Sequence, residues 1–118
     1  MVILVISQDI ITIDVIKKKE NNMPGAHRNG DSRLCGAKTT VLNQSTVFVN
    51  SKLWAVEGDP ETHGNGNLDA VYGAKNVYIE GKKVIVALGD EGEADDQEHP
   101  KGATNPSQSS TNVFAYGS

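Results

Sequence analysis

The chain has 118 residues, enough for one domain, and its aromatic content of 5% with 12 glycines leaves a lean core. A net charge of −4 and a pI near 5.2 exclude a basic stripe for nucleic acid. The single cysteine, Cys35, excludes an intrachain disulfide, so a lean core would take its support from a metal or a partner.

Residues 1–22 differ from the rest. Val2–Ile6 and Ile10–Ile16 are rich in β-branched residues, and Lys17, Lys18 and Lys19 follow. Alternation of Ile11, Ile13 and Val15 suits a strand, whereas Ile3, Ile6, Ile10 and Ile13 would share a helix face; composition favours strand. The longest apolar run is far too short to span a membrane, and neither a basic start nor a cleavage site suggests a secretory signal. We read 1–22 as an N-terminal extension of unknown role, an edge strand or a contact to a neighbour, and 23–118 as the domain.

From Met23 onward the sequence repeats. Ser45–Asn50 (STVFVN) returns as Lys75–Glu80 (KNVYIE) and as Thr111–Tyr116 (TNVFAY). Gly58-Asp59 returns as Gly89-Asp90 and is anticipated by Gly30-Asp31. Val47 and Val77 are 30 residues apart and Gly58 and Gly89 are 31 apart, a repeat period. Each unit reads as a hairpin. Val47–Val49 and Leu53–Val56 flank Asn50-Ser51, and Val77–Ile79 and Val84–Leu88 flank Glu80-Gly81. The domain opens with a second half-unit and ends with a first half-unit. These complete each other if the ends meet, which predicts an all-β body of three hairpins closed about a pseudo-threefold axis. Closure would also hide the edges of such short strands.

Closure brings equivalent loops together, and those loops carry metal ligands. Cys35 lies four residues after Asp31, and His63 four after Asp59. In the third copy position 94 is alanine, and the loop runs on through acidic residues to His99. With His27, the set is one thiolate and three imidazoles, a tetrahedral complement for structural Zn²⁺, with iron possible on the same ligands. Asp95, Asp96 or Glu98 could supply an oxygen in place of His99. Against this stands the blander reading of a small buried thiol and solvated loop histidines. Four protein ligands leave no open position for water, and Glu61 and Asp59 beside His63 suit the Gly-Asp-Pro turn. No nucleophile elbow, phosphate loop or dinucleotide fingerprint is present. We read no enzyme here.

MPGAHRNGD, WAVEGDPETHG and the recurring Asn-Val-aromatic strands resemble the PAAR-repeat proteins, which cap the spikes of contractile injection machines. Met23–Arg28 stands where the family has its Pro-Ala-Ala-Arg signature, with Gly25 for one alanine and His27 before the arginine. Arg28–Asp31 matches its Arg-x-Gly-Asp, and Gly58–Gly64 its Gly-Asp-x-x-x-His-Gly. The resemblance covers about residues 23–117. It implies a small cone whose base sits on a trimeric β-helical spike, one tip per trimer, and whose point meets the target cell envelope. It also implies zinc or iron near the vertex, on three histidines and a cysteine, which here are His27, Cys35, His63 and His99. The expected place is the baseplate spike tip of a contractile-tailed phage virion. A bacterial type VI secretion spike is the close second. A free-standing metal- or carbohydrate-binding β module and a metallohydrolase are readings of other classes.

Overall fold

A computed structural model of the chain describes residues 2–6, 9–13, 24–72 and 77–115, the first two stretches as backbone alone. There, β1 (Val2–Ile6) pairs antiparallel with β2 (Asp9–Ile13), Val2 opposite Ile13, so the β-branched residues adopt the strand form. Six strands of two residues each follow: β3 (Phe48–Val49), β4 (Lys52–Leu53), β5 (Leu68–Asp69), β6 (Tyr78–Ile79), β7 (Lys82–Lys83) and β8 (Glu91–Gly92). All pairings are antiparallel, β3 with β4, β6 with β7 and β5 with β8. The fold is all-β, with no helix among the described residues and none that could cross a membrane.

Turn chemistry explains the two hairpins. Asn50 and Ser51 have φ of 52° and 68°, and Glu80 and Gly81 have 53° and 82°. Positive φ at both central residues marks the type I′ turn, whose twist matches that of the flanking strands. The third pairing joins distant parts of the chain. Gly25 bridges Phe114, Ala26 N–H donates to the Val113 carbonyl and Ala115 N–H to that of Pro24. The same bond closes both hairpins, from Trp54 N–H to the Val47 carbonyl and from Val84 N–H to that of Val77. Residues 73–76 and 116–118, where parts of the repeat fall, lie outside the described residues.

The segments following these three pairings bond to one another in a closed cycle. His27 N–H donates to the Ile85 carbonyl, Ile85 N–H to that of Ala55, and Ala55 N–H to that of His27, at 2.8–3.0 Å. A second cycle runs from Asn29 to Leu53, from Glu57 to Lys83 and from Ala87 to Gly25. Bridges Arg28 to Trp54, Val56 to Val84 and Val86 to Ala26 follow the same rule. Every strand edge in the cycle thus has a partner, which is how strands this short remain paired.

The recurring Gly-Asp has a structural cause. Asp31, Asp59 and Asp90 are all buried, and each accepts a backbone N–H from the start of its turn: Arg28, Val56 and Val86. Asp59 also accepts from Leu42 and Asn43, and Asp90 from Tyr72. Gly30 and Gly58 have φ of 84° and 92°, a region that L-residues avoid. In the third copy that conformation falls on Leu88, with φ of 63° and the residue 80% exposed. Leu88→Gly is therefore expected to raise stability by about 0.5–1 kcal/mol, because relief of left-handed strain outweighs glycine's entropy cost. Urea unfolding checks this; a lower midpoint would contradict it.

The core follows the same repeat. Val49, Ile79 and Ala115 are buried at matching positions, as are Trp54, Val84 and Ala26. Trp54 and Ala26, counterparts of very different size, belong to one buried cluster. The indole N–H donates to the Ile85 carbonyl at 2.9 Å.

Candidate metal centre

Beyond the buried aspartates, each copy forms the same tight loop. Arg33 N–H donates to the Ala37 carbonyl, Glu61 N–H to that of Asn65, and Asp95 N–H to that of His99. Gly36, Gly64 and Glu98 carry positive φ of 92°, 88° and 64° at matching places. This alignment puts Gln97 opposite Cys35 and His63, His99 opposite Ala37 and Asn65, and Asp95 opposite Arg33 and Glu61. The copies are linked by backbone bonds from Thr62 to Lys38, from Asp96 to Gly64 and from Leu34 to Asn105. The loops therefore converge.

Where they converge, Cys35, His63, Asp95 and His99 place donor atoms within 4.8 Å of one another. Asp95 Oδ2 is the hub, 2.8 Å from His99 Nδ1, 3.2 Å from His63 Nδ1 and 3.8 Å from Cys35 Sγ. Cys35 Sγ is 4.0 Å from His63 Nδ1, and the two imidazole centroids are 5.2 Å apart. Atoms bound at about 2.0–2.3 Å to one dication have separations of this order. Sulfur, imidazole nitrogen and carboxylate oxygen are all donors to first-row metals, so the residues fit such an ion. The Asp95 carboxylate is itself anchored by the N–H groups of Gln97 and His99.

Three of the four expected ligands meet here; His27 does not. Its ring is fully buried, with Nδ1 2.7 Å from the Gln108 carbonyl and Nε2 2.6 Å from Thr39 Oγ1. The carbonyl can only accept, so Nδ1 carries the proton. Thr39 receives a bond from Arg33 Nε and can donate its hydroxyl proton to His27 Nε2. Both nitrogens are thus engaged and neither faces the other ligands. The reason is positional: His27 is the counterpart of Ala55 and Ile85 in the strand cycle. Asp95 stands fourth instead.

Burial lowers the His27 pKa to about 4, against a weaker opposing effect of the Gln108 carbonyl. An unfolded imidazole takes up its proton near pH 6.5, so acid between 6.5 and 4 favours unfolding through this group. Glu61 and Asp90, raised to about 7 and about 6 chiefly by burial, act in the opposite sense. His27→Gln isolates the effect. The stability of the native chain relative to that variant is expected to fall by about 3 kcal/mol from pH 6.5 to pH 4. Denaturant titration at each pH checks it, and a difference that does not change with pH would contradict it.

Sequence reasoning placed Glu61 with the Gly-Asp-Pro turn, but Asp59 alone serves that turn. The Glu61 side chain is fully buried; Oε2 is 3.5 Å from Arg33 Nη1 and 3.8 Å from Cys35 Sγ, and Oε1 is 3.6 Å from His63 Nδ1. Burial first, and the Asp95 carboxylate beside it, push Glu61 up. For Asp95 burial opposes the charge, but Glu61 and the His99 and His63 rings outweigh it and hold the carboxyl well below its usual range. Burial also raises the Cys35 thiol. A bound dication would favour its thiolate. The signal for Asp95 and Glu61 was their equivalent place, two residues before His63 in the second loop and before Gln97 in the third. An insertion after Asp90, which forms β8, obscured it in the third copy.

Comparison of the chain with family models, with curated proteins and with solved structures returned no match.

Proposed function

We propose that the domain is a metal-stabilised tip that caps the trimeric β-helical spike of a contractile injection machine, in the manner of the PAAR-repeat proteins it resembles. The observation that carries the reading is the cyclic hydrogen bonding of three like segments, joined to loops that converge on Cys35, His63, Asp95 and His99. A body with pseudo-threefold symmetry can cover the end of a true threefold spike with one chain, matching its strand edges three times over. We take the whole as a small cone, with the hairpins toward the spike and the ligand cluster near the point.

The role is mechanical rather than catalytic. A point built on a lean core must hold its shape as it is driven through a cell envelope. One ion fixing residues from three loops resists their separation, because its binding free energy adds to that of folding. Cys35, His63, Asp95 and His99 would hold it. A phage baseplate is the preferred setting; a type VI spike would use the same surfaces.

The test is stoichiometric capture. The domain mixed with the trimeric spike of its own machine should elute as one complex with one chain per trimer by light scattering. A chain that stays monomeric beside that spike would overturn the assignment and favour a free-standing metal-binding module.

A further inference from the structure

We infer that Glu61 is a fifth donor to the ion held by Cys35, His63, Asp95 and His99, and that the centre is built for a five- or six-coordinate dication of the ferrous class. This rests on the metal-centre reading above and goes beyond it by changing the coordination number and the preferred metal.

The first ground is an unsatisfied atom. Glu61 Oε1 is buried and has no hydrogen-bond partner, and the whole side chain is inaccessible to solvent. A buried carboxylate oxygen without a partner is costly and rare in folded proteins. Its direction is informative: it faces His63 Nδ1 at 3.6 Å, the atom that also faces Asp95, while Oε2 is turned toward Arg33 and the Cys35 sulfur.

The surroundings are shaped to keep Glu61 there. Gly66 lies against the side chain, and a Cβ at that position would come within 2.7 Å of Glu61 Cγ and Cδ. Arg33 Nη1 donates to the Gly66 carbonyl at 2.6 Å as well as reaching Glu61, so one guanidinium fixes both walls. Arg33, Glu61 and Asp95 are counterparts in the three loops, and all three are buried. With Glu61 and the Cys35 thiol both deprotonated, as ligands are, they and Asp95 outnumber the Arg33 charge by two. A single dication cancels that excess.

The donor set follows the same direction. Tetrahedral structural zinc sites are mostly thiolate and imidazole, whereas two imidazoles with carboxylate oxygens are a common ferrous arrangement. Glu61 adds the second carboxylate.

Cobalt(II), introduced into the full chain in place of the native ion, reports coordination number directly. Four-coordinate cobalt absorbs intensely in the visible, and five- or six-coordinate cobalt weakly. The native sequence should bind one equivalent with weak bands, and Glu61→Gln should bind one equivalent with bands several-fold stronger. Intense bands in the native protein, unchanged in Glu61→Gln, would overturn the fifth donor while leaving the metal centre in place. No cobalt bound to folded protein would overturn both. Should the variant fail to fold, the native spectrum decides alone.

Discussion

Trp54→Ala is expected to destabilise the domain by about 3–5 kcal/mol, the range for removing a fully buried aromatic side chain. Trp54 is 1% exposed and packs within the cluster of Val49, Val56, Val84 and Val86. Its counterparts in the strand cycle are valine and alanine, so neither neighbour can expand to fill the space. The indole N–H also gives the Ile85 carbonyl a second donor beside the His27 N–H, which alanine would remove. In a fold with few other large side chains, this loss is a large share of the total stability. Urea unfolding at neutral pH measures it. A loss below about 1 kcal/mol would mean that the strand cycle does not close on this side chain.

Asp59→Ala should be nearly as damaging, by about 3 kcal/mol or more, for a different reason. It leaves the N–H groups of Leu42, Asn43 and Val56 without their acceptor, each at a cost of about 1–3 kcal/mol if water cannot replace it. Asp59→Asn, which keeps one carbonyl oxygen of similar shape, should lose less. The comparison of the two by denaturant titration is the check, and equal losses would show that the hydrogen bonds are not the cause.

These residues also show which parts of the fold could be read in advance. The period was visible because hairpin turns and buried aspartates impose the same local demand in every copy, so Asn50-Ser51 and Glu80-Gly81, and Asp31, Asp59 and Asp90, recur in register. The meeting of residues 24–26 with 113–115 followed from counting half-units. The pairing of β5 with β8 was not legible, since Leu68-Asp69 and Glu91-Gly92 have no alternation to mark them as strands. Cys35 and His63 were visible through their common offset from Gly-Asp. His99 joined that set in spite of its displaced offset, and the structure places it beside Cys35 and His63. His27 misled because a histidine near the motif says nothing about the direction of its ring, and here the strand cycle turns it into the core. Asp95 was named only as a substitute for His99, and Glu61 was assigned to a turn, because carboxylates serve turns, solvent and metals alike.

Sequence and fold form one chain of cause. Repeated Gly-Asp turns redirect three like strands, backbone bonds close those strands on one another, and closure carries three loops to one place. The loops differ in length and in residue, so the cluster is asymmetric: Cys35 comes from the first, His63 with Glu61 beside it from the second, and Asp95 and His99 from the third. On the proposed reading, that asymmetry lets a pseudo-symmetric body offer one ion a mixed donor set from a single chain.

The most direct test is metal content, measured by elemental analysis of the purified domain beside Cys35→Ser and His63→Ala. The account predicts about one equivalent of a first-row dication in the native protein and its loss or marked weakening in both variants. His27→Gln, which touches no proposed ligand, should retain it. A native protein that is stably folded and free of metal would contradict the account.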